Sequence, residues 1–180
     1  MIKPGRVGHA TFETPDIERA ITYYTDVNGL VLSAREKGRA FLASKIGLLS
    51  IAIEQGHEAK LKRLSFEVSP NANFADMAKR LSADGVQSEV RSDVVPGIGK
   101  VPAFDDPKGT TIELFNEWQY LGSHHQVLGA GPLKLGHIAY FVEDPKAMAE
   151  FLLPRAGFPG VGLDRGLLCL PALQPGSPRG

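Results

Sequence analysis

The sequence predicts an α+β fold: paired β-α-β-β-β modules forming a half-open barrel, with the start of a third module. Three observations carry this. Three segments begin alike, "VGHATFETPDIERAITYY", "LKRLSFEVSPNANFADMAKRL" and "LGHIAYFVEDPKAMAEF". Each reads as a short strand, a polar turn and a helix, and such self-similarity marks a repeated supersecondary unit. Three more strand-like runs follow each of the first two segments, separated by turn residues. The composition, 43% apolar and 22% charged over 180 residues, suits a folded chain of one to one and a half small domains.

The first module covers about residues 5–56. Val7 to Glu13 alternates, with His9, Thr11 and Glu13 on one face and Ala10 and Phe12 on the other. Thr14 is placed to cap the following helix, and Pro15 suits its first turn. Ile17, Ala20, Ile21 and Tyr24 recur at i, i+3, i+4 and i+7, an apolar stripe. "NGL" ends the helix, and "LVLSARE", "GRAFLASK" and "LLSIAIEQ" read as strands.

The second module, about 61–118, repeats the order. Phe74, Met77, Ala78 and Leu81 form its helical stripe, and Gly85 stops the helix. Strands are predicted around "VQSEVRS", "GKVPAFDD" and "TTIELFNE", with "DPKG" as a turn. A β-α-β-β-β unit leaves one sheet face bare, so two must pair to bury a core. Residues 1–118 thus form one domain, 119–132 read as a linker, and 133–180 are an incomplete third module.

Net charge is zero, which argues against nucleic acid or an acidic membrane surface as the main partner. The single cysteine, Cys169, allows no intramolecular disulfide. "MIKPGRVGHATFE" has no apolar signal core, and no apolar run reaches membrane-spanning length. The expected location is the cytoplasm.

The segments "VGHATFETPDIERAITYYTDVNGL", "DDPKGTTIELF" and "GHIAYFVEDPKAMAEF" resemble the vicinal oxygen chelate superfamily of glyoxalases, antibiotic-resistance binding proteins and extradiol ring-cleaving dioxygenases. Two units, a linker and a third unit opening on "GH" resemble the two-domain extradiol dioxygenases in particular. The resemblance implies a first domain without metal and a catalytic domain holding Fe(II) through two His and one Glu. That ligand set leaves open positions for a catechol, bound through two oxygens, and for O₂. His137 matches the first ligand, while the second His and the Glu belong to a fourth unit that this sequence does not contain. The implied activity is ring cleavage beside the diol, with a small aromatic diol and O₂ as partners and a homo-oligomer as an option. The same superfamily offers a non-catalytic ligand-binding module and a glyoxalase-like isomerase as alternatives. For those, His9 and Glu113 match ligand positions, but Arg63 stands where the second unit should supply a His.

Residues 152–180, "LLPRAGFPGVGLDRGLLCLPALQPGSPRG", break the repeat: they are rich in Pro and Gly and lack strand alternation. A legal back-translation of this stretch, read one base later, gives "YYRVLGFRVSDWIGDFFVFLRCNPDHHG". That string continues the third unit as the first unit continues, with "YY", "LGF" and "FVFLRCN" in the places of "YY", "NGL" and "RAFLASK". The expectation is therefore that this stretch is out of frame and that the parent enzyme's metal site is incomplete here.

The remaining candidates are weaker. His124 and His125 are adjacent and point opposite ways in an extended linker. His57 lies in a polar turn, "GAGP" is a linker turn, and Cys169 has no partner that would activate it. An exposed "LGHIAYFV" strand is expected to seek a partner edge or to promote aggregation.

Overall fold

The computed structural model describes residues 4–122, 130–156, 162–164 and 167–171. His124, His125 and most of the final stretch lie outside the described residues.

The first module is β1 (Pro4–Thr14), α1 (Ile17–Thr22) running into a π-helical turn (Tyr23–Val27), β2 (Val31–Glu36), β3 (Arg39–Ala43) and β4 (Leu49–Gln55). The second is β5 (Lys60–Val68), α2 (Phe74–Ala83), β6 (Glu89–Val95), β7 (Ile98–Asp105) and β8 (Thr111–Phe115). They form one eight-stranded sheet ordered β2-β3-β4-β1-β5-β8-β7-β6. The order is symmetric about the central antiparallel β1–β5 pair, with β1 parallel to β4 and β5 parallel to β8. The sheet curls into a half-barrel, and the Arg39 guanidinium of β3 donates to the Val94 carbonyl of β6 at 2.6 Å, bridging the mouth.

The amphipathic stripes cover one face of the sheet. Ile17 and Ile21 from α1, and Met77 and Leu81 from α2, join Ala10, Ile53, Leu64, Phe66 and Ile112 in the main core. The helix starts are set by side-chain caps. Asn73 accepts from the amides of Ala75 and Asp76. At α1 the cap is Asp16, which accepts from the Arg19 amide at 3.0 Å. Thr14, the expected cap, accepts from the Asp16 amide instead, so the helix starts two residues later than the sequence suggests.

The other, concave face carries a second apolar cluster of Phe41, Leu49, Ala52, Val95, Ile98, Val101 and Phe115. Trp118 and Leu121 from the segment after β8 pack on it. That segment is strapped at both ends: Gln119 N–H donates to the Gly97 carbonyl at 2.7 Å, and Leu121 N–H to the Gly47 carbonyl at 2.8 Å. Gly47 and Gly97 both have positive φ, and a Cβ on either would strike the strap's backbone carbonyls.

The third unit begins with β9 (His137–Phe141) and α3 (Pro145–Ala156). Asp144 caps α3 through the Ala147 amide. Tyr140, Val142, Met148, Ala149 and Leu152 pack into the main core of the first domain. The helix runs past Phe151, where the repeat was expected to break, with Leu152 fully buried. Strands β10 (Gly162–Asp164) and β11 (Leu167–Pro171) follow, and the three form a small sheet ordered β10-β11-β9. The sequence reading found no strand there because "LLCLP" is a continuous apolar run without alternation. β11 pairs antiparallel with β9, whereas β4 lies parallel to β1, so this unit departs from the two complete ones. Among the described residues, no helix is long and apolar enough to cross a membrane.

Candidate functional site

The concave face of the half-barrel gathers the charged residues of the central strands. β1 contributes His9 and Thr11, β5 contributes Arg63 and Ser65, β8 contributes Glu113 and β4 contributes Glu54. Alternation along each strand puts these residues on one side, opposite Ala10, Leu64, Ile112 and Ile53 in the main core.

His9, Ser65 and Glu113 are wholly buried. The Ser65 hydroxyl donates to Glu113 Oε2 at 2.6 Å and lies 3.0 Å from His9 Nε2. His9 Nε2 and Glu113 Oε2 are 3.7 Å apart. With the hydroxyl proton directed to the carboxylate, His9 donates from Nε2–H, which makes Nδ1 the unprotonated nitrogen. Burial, and secondly the Arg63 charge, lower the His9 pKa to about 3, so the ring is neutral at physiological pH. Arg63 Nε lies 3.8 Å and Arg91 Nη1 4.0 Å from Glu113 Oε1. Among the described residues, His9 Nδ1, Thr11 Oγ1 and Glu113 Oε1 have no hydrogen-bond partner.

A second carboxylate, Glu54, binds the mouth-side cations. It pairs with Arg63, with Lys62 at 2.8 Å and with Arg39 at 3.3 Å. Burial alone would raise its pKa, but hydrogen bonds from Lys62 and Arg63 outweigh this and hold it below the usual carboxylate range. The mouth itself is a 420 Å³ cavity lined in part by Lys37, Arg39, Glu54, Arg63 and Asp93.

The structure thus brings His9 and Glu113 together, but with Ser65 between them and guanidinium groups beside the carboxylate. Serine is a poor metal ligand beside imidazole and carboxylate, and an adjacent arginine already neutralises Glu113. Ser65, Glu54 and Arg39 were missed by sequence reading. The signal was available: an antiparallel pair centred on Ala10 and Leu64 sets Ser65, not Arg63, opposite His9.

His137 lies elsewhere, exposed on β9 and Cα-paired with Pro171. The other face of β9 is anchored. Tyr140 donates to Asp106 Oδ2 at 2.9 Å, shares a hydrogen bond with Thr110 and lies under the Lys108 ammonium. Burial raises its pKa. His57 is exposed, and its backbone N–H donates to Glu13. Among the described residues, no three His, Cys, Asp or Glu side chains are grouped to hold a metal ion. Neither His9 with Glu113 nor His137 fits the two-imidazole, one-carboxylate set of an extradiol iron centre.

Residues 6–114 match the family described as the glyoxalase/bleomycin resistance protein/dioxygenase superfamily. A metapyrocatechase from Pseudomonas sp. (strain CF600) is 25% identical over 125 residues, covering 65% of this chain and 39% of its own length. The 2,3-dioxygenase LapB from Pseudomonas sp. KL28 superposes with a TM-score of 0.73 at 22% identity, over 87% of this chain and 59% of that one. An extradiol ring-cleaving dioxygenase from B. fuscum superposes with a TM-score of 0.70 at 25% identity, over 89% of this chain and 46% of that one. The chain therefore spans about two fifths to three fifths of the length of these relatives.

Proposed function

We propose, from the premise that this chain belongs to the glyoxalase/bleomycin resistance protein/dioxygenase superfamily, that it is the non-catalytic domain and catalytic-domain opening of an extradiol dioxygenase. The parent reaction is cleavage of a catechol-type ring beside the diol, with Fe(II) supplying the chemistry when bound and O₂ as co-substrate. One observation supports this most: the superposition on extradiol dioxygenases covers 87–89% of this chain and so reaches past the first two modules. A single pair of modules would match only the first 118 residues.

In this reading the first domain is a scaffold. Its concave face is filled by the His9–Ser65–Glu113 cluster, the Glu54 ion pairs and the Trp118 strap. The room left on this face for a ligand-binding module or a glyoxalase-like isomerase is the 420 Å³ space at the mouth, whose lining includes the charged side chains of Arg39, Glu54 and Arg63. His137 matches the first ligand position of the extradiol iron set, and the Tyr140–Asp106 bond orients its strand. The proposed location is the cytoplasm.

The test removes one base after the Phe151 codon and expresses the reading frame that results. The protein is then loaded with Fe(II) and given catechol and air. The expected outcome is the yellow ring-cleavage product. An iron-loaded protein of that frame that leaves substituted and unsubstituted catechols unchanged would overturn the reading.

A further inference from the structure

Two cavities meet at Asp93 and Val94 of β6. Both residues line the 420 Å³ mouth cavity, and both line a second cavity of 540 Å³ bounded by the β6–β7 turn and by Trp118 and Gln119 of the strap. Each volume falls in the roughly 300–1,000 Å³ range of small-molecule sites. The β6–β7 register shifts between Ser92 and Val95, and Asp93, inside that bulge, is the one described non-glycine residue with positive φ, at 53°. Bulges of this kind re-aim a side chain, here into the place where the cavities join. Every residue of the two linings lies between β2 and the strap, within the paired modules and their strap.

The two halves differ in chemistry. The mouth half carries Lys37, Arg39 and Arg63. Its Glu54 is shared by Arg39, Arg63 and Lys62, so three cations surround one carboxylate. Arg39 also faces Glu36 at 3.3 Å, and Arg63 faces Glu113 at 3.8 Å with Arg91 beside it. Lys37 takes part in no ion pair or side-chain hydrogen bond among the described residues. The strap half is walled by Val95, Pro96, Ile98 and Trp118, and its charged lining is acidic: Glu36, Asp93 and Glu117. The nearby Arg6, 5.3 Å over the Trp118 ring, is already paired with Glu67. Asp93 and Glu117, like Lys37, have no ion pair or side-chain hydrogen bond among the described residues.

A molecule spanning the junction therefore meets an unspent cation, an unspent carboxylate and an apolar wall. A simple anion drawn to Lys37 would face Asp93, and a simple cation drawn to Asp93 would face Lys37. A zwitterion satisfies both. We propose that the joined cavities bind a free α-amino acid with an apolar side chain. Its carboxylate lies against Lys37 and the Arg39 and Arg63 guanidinium groups, and its ammonium lies against Asp93. Its side chain runs along Val95, Ile98 and Trp118. Both polar contacts are charge-assisted hydrogen bonds to groups the free protein leaves unpaired. The ligand carries no net charge, in keeping with the near balance of cations and carboxylates around it. The inference rests on the first domain's own side chains, not on the ring-cleavage reading.

Equilibrium dialysis of the full chain against labelled L-leucine tests this, with Trp118 emission read on the same samples. The expected result is saturable binding, with the emission changing along the same curve. Two half-ligands then compete: 4-methylpentanoate, which lacks the ammonium, and 3-methylbutylamine, which lacks the carboxylate. Each should compete about tenfold or more less well than L-leucine. Asp93→Asn, which keeps the positive-φ backbone, should weaken L-leucine by a similar factor and leave 4-methylpentanoate unchanged. Lys37→Ala should weaken L-leucine and 4-methylpentanoate but not 3-methylbutylamine. Both positions are exposed, so the unfolding midpoint of each variant should match that of the parent chain. Absence of saturable binding up to the solubility limit, equal competition by either half-ligand, or unchanged L-leucine affinity in Asp93→Asn would overturn the proposal.

Discussion

His9 and Glu113 lie 3.7 Å apart in the closed interior of the half-barrel, joined through the hydroxyl of Ser65. With all three side chains buried, the pair forms a sealed hydrogen-bond relay. Ser65→Ala removes the relay's centre and leaves a buried imidazole N–H and a carboxylate oxygen without their partner. The expected cost is about 1–3 kcal/mol of stability, read from urea unfolding. A change within a few tenths would mean that the relay contributes little.

The depressed pKa of His9, about 3, has a defined pH consequence. An unfolded histidine titrates near 6.5, so between about 6.5 and 3 the unfolded chain binds a proton that the folded one refuses. Stability contributed by neutral His9 is therefore present above pH 6.5 and lost as pH falls towards 3. The slope is at most about 1.4 kcal/mol per pH unit from this group. Unfolding titrations of the parent chain and of His9→Gln should diverge in slope over that range. Parallel curves would show that His9 titrates normally.

The strap makes a contrast between glycines. Gly47→Ala requires a side chain at φ +86 and drives a Cβ into the Leu121 carbonyl. A loss on the order of 2 kcal/mol is expected from the backbone strain alone. Gly99 has open space around its Cβ position, and Gly99→Ala should be near neutral. Because the chain has one tryptophan, Trp118 fluorescence reports strap release directly. A red shift in Gly47→Ala but not in Gly99→Ala is the expected pattern, and equal spectra would contradict it.

Tyr140→Phe tests the docking of the third unit. It strips Asp106 and Thr110 of a buried partner, at an expected cost of about 1–2 kcal/mol. Hydrogen exchange should accelerate in β9 and α3 and stay unchanged in β1, β5 and β8. Uniform acceleration would show that the loss destabilises the whole domain and not the docking of the third unit.

Much of this fold is legible in the sequence because two signals agree. The repeated strand openings and the stripes Ile17–Ile21 and Met77–Leu81 each specify the same order, and both stripes are buried as spaced. The misses have local causes. Asp16, not Thr14, caps α1 by accepting from the Arg19 amide, so Pro15 lies before the helix and not in its first turn. The π-helical turn at Tyr23–Val27 leaves the 3.6-residue spacing of Tyr24 almost unchanged, so periodicity does not reveal it. In the site, His9 and Glu113 stood out by residue type. Ser65 did not, because its role comes from cross-strand register, which a linear reading sees only after the two-fold is recognised. The out-of-frame reading of residues 152–180 is a matter for the gene: codons whose third bases do not restore "YYRVLGF" one base later would end it.

The proposed function, an extradiol-type scaffold whose described residues assemble no iron site, is tested most directly by one paired measurement. The purified chain is reconstituted with Fe(II) under anaerobic conditions, desalted, assayed for iron, and mixed with catechol and air. The account predicts well under one iron per chain and no yellow ring-cleavage product. One tightly held iron per chain with steady formation of that product would contradict it.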